Sequence, residues 1–188
     1  MPTYEKAPNA VKQMARDILD KYDRYKPVRD AEVTFDILMA FGDRDDDGNI
    51  VGDAIKWHGL PAYGLCRIVN LRDRSKGLAD CEIQLDGDHW ENIGIERRMA
   101  LLDHELWHAQ VCMAREGGFK RDALGRPKLR MRKHDFEIGV FSIIAETHGE
   151  YSEDRLAMRQ VMEKGGQYFW PELYAGTGEK ILKLQRTA

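Results

Sequence analysis

The sequence predicts an α+β domain in which a small antiparallel or mixed sheet packs on one helix carrying H-E-x-x-H and on a second core helix. Three observations carry this. Strand-like apolar runs fill the first half, at 31–41, 63–70 and 78–85. Helical periodicity takes over between 95 and 150. The 188 residues, 43% apolar and 32% charged, suit one soluble domain of residues 1–188 that buries its own core. Its expected parts are a helix at 9–25, a sheet region at 31–86, two site-bearing helices within 95–150, and a helix and tail from 152 to 188.

The N-terminal helix follows from Pro8-Asn9 and from Val11, Met14, Ile18, Leu19 and Tyr22 at helical spacing, with a break at Lys26-Pro27. Ala31 to Phe41 first alternates and then turns continuously apolar, as a strand with a buried end does. Asp43-Arg44-Asp45-Asp46-Asp47-Gly48-Asn49-Ile50 imitates the opening of a calcium loop. Position 12 is Ala54, so a solvated acidic turn is the expectation. Residues 55–62 read as a loop whose His58 could border a cleft. Tyr63–Asn70 and Leu78–Leu85 pair as an antiparallel hairpin. The second of these leads through His89, another possible cleft residue, into the next helix. An edge near Ile83 could therefore receive an extended peptide.

That helix is expected over 96–115, with Ile95, Met99, Leu102, Leu106, Ala109 and Met113 on one stripe. It holds His104-Glu105-Leu106-Trp107-His108. Residues four apart on a helix differ by about 40° and about 6 Å, so both imidazoles can reach one ion, with Glu105 beside them to act as general base on water. Zinc suits neutral imidazoles, and a catalytic site uses three protein ligands and leaves a position for water. Cys66, Cys81 and Cys112 show no ligand spacing and are expected as buried free thiols.

Gly117-Gly118 is expected to end the helix. Beyond it, residues 120–133 carry Lys120, Arg121, Arg126, Lys128, Arg130, Arg132 and Lys133 against Asp122, a solvated basic flap whose Lys128–Arg132 alternates like a β-arm. The flap could steer an acidic or nucleic-acid partner, although a net charge of −3 argues against binding by overall charge. A second helix is expected from His134 to about Glu150. His134 is the preferred third ligand, with Asp135 and Glu137 placed to orient it; Glu137, Glu146 and His148 are the alternatives. Ser152 caps a last helix through Lys164. No run of eighteen apolar residues and no secretory leader is visible, so the cytoplasm is the expected location and no membrane is involved.

The succession His58-Gly59-Leu60-Pro61-Ala62, Leu78-Ala79-Asp80-Cys81-Glu82-Ile83, Trp90, Leu101 to His108 and Leu124 to Asp135 resembles the putative phage metallopeptidases over about residues 50–150. The resemblance implies a zincin-like fold, one Zn²⁺ ion on His104, His108 and His134, and Glu105 as catalytic base. Some relatives follow His-Asp with a carboxylate doublet; here Glu137 is followed by Ile138. The expected activity is hydrolysis of peptide bonds in a peptide or protein substrate by a phage- or prophage-encoded enzyme. The rival is a non-catalytic, metal-stabilised protein that meets a host or phage partner through its basic flap.

Overall fold

The structure, a computed structural model, describes residues 1–57, 59–134, 141–153, 155, 156 and 159. The chain divides into two compact units, Met1–Lys133 and His134–Ala188.

In the first unit, β1 (Thr3–Lys6) is followed by α1 (Asn9–Lys21), which turns Val11, Ala15 and Ile18 inward. The expected helix 9–25 is in fact two pieces. Tyr22 is extended, a 3₁₀ turn covers Asp23–Tyr25, and α2 (Lys26–Asp30) begins where a break was expected. Pro27 lies in the first turn of α2, where its missing N–H breaks no helical hydrogen bond.

The main strands are β2 (Phe35–Phe41), β5 (Gly64–Ile68) and β6 (Cys81–Asp86). Between β2 and β5 lies the small hairpin of β3 (Lys56–Trp57) and β4 (Leu60–Pro61), where a loop was expected. The sheet order is β1-β2-β6-β5. β1 runs antiparallel to β2, β2 parallel to β6, and β6 antiparallel to β5, as the sequence suggested for the last pair. Ile83 therefore stands on an interior strand, opposite Ile37 on one side and Cys66 on the other. The open edge expected there is absent, and β5 is the outer strand instead.

Alternation along β6 puts Cys81, Ile83 and Leu85 on one fully buried face, in a core with Ile18, Leu102 and Leu106. A single helical turn, α3 (Leu71–Arg74), joins β5 to β6, and Asn70 caps it by accepting the Asp73 N–H. After β6 come α4 (Gly87–Glu91) and α5 (Ile95–Trp107), which packs on α1, β5 and β6.

α5 stops about two turns earlier than expected. Ala109 and Met113 continue its apolar spacing, yet Ala109–Val111 forms β7, paired antiparallel with β8 (Leu129–Met131). Gly117 and Gly118, expected to end a helix, take positive φ angles in the turn between Met113 and Phe119. Non-local pairing thus overrides local helical period.

The basic segment is a pinned arm. The Arg126 guanidinium reaches Asp80, the Thr34 hydroxyl and the Leu78 carbonyl at 2.9, 3.1 and 2.8 Å. Arg121 donates to the Gly125 carbonyl, Arg130 to Gln110, and Arg132 to the Trp107 carbonyl. Four guanidiniums expected in a solvated flap therefore hold the arm together or to the body.

The acidic turn at 43–50 has a twin in this arm. Asp45 Oδ1 accepts the N–H groups of Asp47 and Asn49, and Asp122 Oδ1 those of Leu124 and Arg126. Arg44 donates to the Gly48 carbonyl as Arg121 does to that of Gly125, and both glycines have positive φ. The shared pattern R-D-x-x-G builds one turn type twice, the second time without the extra acids. Asp45 is thereby accounted for by turn formation.

In the second unit, α6 (Ser142–His148) carries the buried Ile144 and follows the buried Phe141. His134, expected to open a helix, is not helical; 135–140 lie outside the described residues. Leu156 N–H donates to the Ser152 carbonyl, as expected for a helix starting there, and 160–188 lie outside the described residues. Among the described residues no helix is long and apolar enough to cross a membrane.

Candidate metal centre

His104 lies in the last turn of α5 and His108 is its C-cap, still helical at φ −63° and ψ −28°. The i, i+4 relation survives although the helix ends there. The two rings stand 5.1 Å apart between centroids and 71° out of plane, the disposition of imidazoles that converge on one point without stacking. His134 supplies a third nitrogen. One ring nitrogen of each of His104, His108 and His134 lies within 4.8 Å of the others, and all three residues are half-buried. Two ligands of one ion at about 2.0–2.1 Å each sit at most about 4 Å apart, so this spacing needs only a small contraction to hold a cation. Among the described residues this is the group that forms. Glu146 and His148 are not part of it, and Glu137 lies outside those residues.

The tautomer of His108 is set by main chain. Its Nδ1 is 2.9 Å from the Arg132 carbonyl oxygen, which can only accept, so Nδ1 carries the hydrogen and Nε2 keeps the lone pair a metal needs. The Arg132 N–H donates back to the His108 carbonyl at 2.7 Å. The Arg132 side chain also covers Trp107, its guanidinium carbon 3.8 Å from the ring centroid. Asp135 and Glu137, the carboxylates expected to orient a histidine, lie outside the described residues. The Phe141 ring packs on His134 at 4.7 Å between centroids.

Beside His104, the fully buried Asp103 anchors the helix. Its carboxylate accepts from Arg24 and from the Tyr25 hydroxyl, which also reaches the Asp103 carbonyl at 2.9 Å. Burial first, and then the Asp103 charge, push the Tyr25 phenol well above its ordinary pKa, so it remains a donor. Glu105 is 3% exposed, and its side chain lies against the main chain of Gly64 on β5. His89 stacks on Tyr63, the residue before Gly64, at 3.7 Å between centroids; His58 lies outside the described residues. Cys66 and Cys81 are buried free thiols as expected, and Cys112 is half-buried.

A family model described as "Putative phage metallopeptidase" matches residues 2–164. The chain belongs to this family. No curated protein and no solved structure matches it. For a phage metallopeptidase the grouped imidazoles are the expected ligand chemistry: uncharged nitrogen donors, one with its tautomer fixed, suit a borderline divalent cation. Sequence reasoning missed Arg132, Asp103 with its partners Arg24 and Tyr25, and Gly64. Arg132 acts through a carbonyl that every residue has, so no side-chain signal marked it.

Proposed function

We propose that this phage metallopeptidase is a zinc-dependent peptide-bond hydrolase of zincin-like architecture, with His104, His108 and His134 as ligands and Glu105 as general base. The convergence of three ring nitrogens within 4.8 Å carries the reading. A zinc ion, when bound, supplies Lewis acidity, polarising a carbonyl and lowering the pKa of water to about 7. Glu105 takes the proton of the attacking water and delivers it to the departing amine. The Arg132 carbonyl keeps His108 in the tautomer that binds metal.

The peptide lies along β5, in place of the β6 edge expected from the sequence. Asp86 N–H donates to the Tyr63 carbonyl and Val69 N–H to the Asp80 carbonyl, so residues 63 and 69 face β6. By alternation the main-chain groups of Gly64, Cys66 and Ile68 face the other way, as an added strand requires.

The test compares wild type with Glu105→Gln, both loaded with zinc, on a peptide library read by mass spectrometry. The variant is expected to hold the same metal equivalent and to cleave about 10²–10⁴-fold more slowly. Equal cleavage by the two proteins removes Glu105 from the reaction. A metal-loaded wild type that leaves the library intact favours the binding reading.

A further inference from the structure

We propose that Gly64 is a positioning residue for Glu105: its bare main chain is the floor on which the Glu105 side chain lies, and the missing side chain fixes how far the carboxylate stands from the histidines. This rests on the reading of Glu105 as general base.

A Cβ built on Gly64 would lie 2.5 Å from Glu105 Oε1 and 2.8 Å from both Cδ and Cγ. Carbon atoms in ordinary contact are about 3.5–4.0 Å apart, so the side chain must retreat by about 1 Å. The carboxylate end could swing, but Cγ is held near the helix by its first torsion, and a residue 3% exposed has little space to enter. Nothing in the backbone of Gly64 asks for glycine. It pairs in register with Leu85 on β6, and its φ is not among the positive ones. Glycine within a strand is unfavourable relative to residues with a side chain, so the sequence bears a local cost here. The close approach of Glu105 is what that cost accompanies. Cys66, next on the same face of β5, also senses this carboxylate: Cys81 and burial push its thiol well up, and the Glu105 charge adds to them.

The experiment is a four-member cycle of wild type, Gly64→Ala, Glu105→Ala and the double variant, with two readouts. In metal-free thermal melts, Gly64→Ala is expected to lower Tm by about 3 °C or more with Glu105 present. In the Glu105→Ala background it should leave Tm unchanged or raise it, because the clash is gone and alanine suits a strand better. In the zinc-loaded enzyme, Gly64→Ala is expected to lower kcat about 10²-fold, the effect of a catalytic group displaced by about 1 Å, with KM and metal stoichiometry unchanged. If Gly64→Ala fails to fold, recovery of folding in the double variant supports the proposal, and failure of both overturns it. Equal Tm changes in the two backgrounds also overturn it. Coupled melts from a protein that cleaves nothing leave Gly64 and Glu105 in contact and sink only the hydrolase reading.

Discussion

Arg74→Met removes the cation at the centre of a buried network and leaves its aliphatic bulk. The Arg74 guanidinium contacts Asp80 and meets Asp122 at 2.7 Å, and it donates to the Pro127 carbonyl at 3.1 Å. Its side chain is 5% exposed, those of Asp80 and Asp122 2% and 13%. With Arg126 the four charges balance, so the substitution strands one net negative charge. Breaking a buried pair from one side costs about 3–5 kcal/mol. Asp80 keeps Arg126 and both Thr34 donors, which puts this case near about 3 kcal/mol. For a chain of this size that is a fall in Tm of about 6–12 °C.

Acidity separates charge loss from packing loss. Burial alone would raise the Asp80 carboxyl, but the Thr34 N–H and hydroxyl, with Arg126 and Arg74, outweigh it and hold the pKa below its ordinary value. A carboxyl lowered by folding contributes stability above its unfolded pKa of about 4, and that contribution is lost as pH falls through the folded value. Removing Arg74 shrinks the contribution. The Tm gap between wild type and variant is therefore full at pH 7 and narrows below about pH 4. A gap under about 2 °C at pH 7, or one equally wide at pH 3, refutes the electrostatic account.

Two further outcomes concern the metal centre and its support. His134→Ala should weaken zinc binding by more than about 100-fold in a competition titration against a chromophoric chelator, exceeding the 10–100-fold typical of supporting residues. An unchanged affinity would move the third ligand elsewhere. Tyr25→Phe deletes the hydroxyl that donates to Asp103 and should cost about 1–2 kcal/mol in urea unfolding, with zinc stoichiometry intact. A neutral result would mean that Asp103 does not depend on the Tyr25 hydroxyl.

What the sequence made legible was whatever depends on local period or residue chemistry. The H-E-x-x-H spacing sufficed to put His104 and His108 together, and the antiparallel pairing of β5 with β6 followed from two apolar runs and a short charged link. Other features depend on partners far along the chain. β1 has four exposed residues and no apolar alternation; only its pairing with β2 makes it a strand. The alternation of β6 told which face is buried but could not tell an interior strand from an edge, since both alternate when one face is covered. The Arg residues of 120–133 looked solvated because Asp80, Gln110 and the acceptor carbonyls come from outside that window or from its own turn. Gly64 looked like punctuation at the start of a strand, when its contact is with a helix forty residues on.

Because the second histidine is held by main chain, a metal bound at the proposed centre should depend on the arm's position. His108 and Arg132 exchange two hydrogen bonds, both through Arg132 backbone atoms, just beyond the β7–β8 ladder. Arg132→Ala keeps both, so zinc affinity should stay within about 3-fold; it removes the cover on Trp107 and the bond to its carbonyl, and stability should fall by about 1 kcal/mol. Arg74→Met touches no histidine, yet it releases the Pro127 carbonyl two residues before β8 and with it one anchor of the strand that delivers Arg132. Its zinc affinity should fall about 10-fold, as when a ligand's orienting partner is disturbed. Chelator competition on the two variants orders them against intuition, with the remote substitution the more damaging. The reverse order would mean that the guanidinium of Arg132, and not its carbonyl, is what His108 depends on.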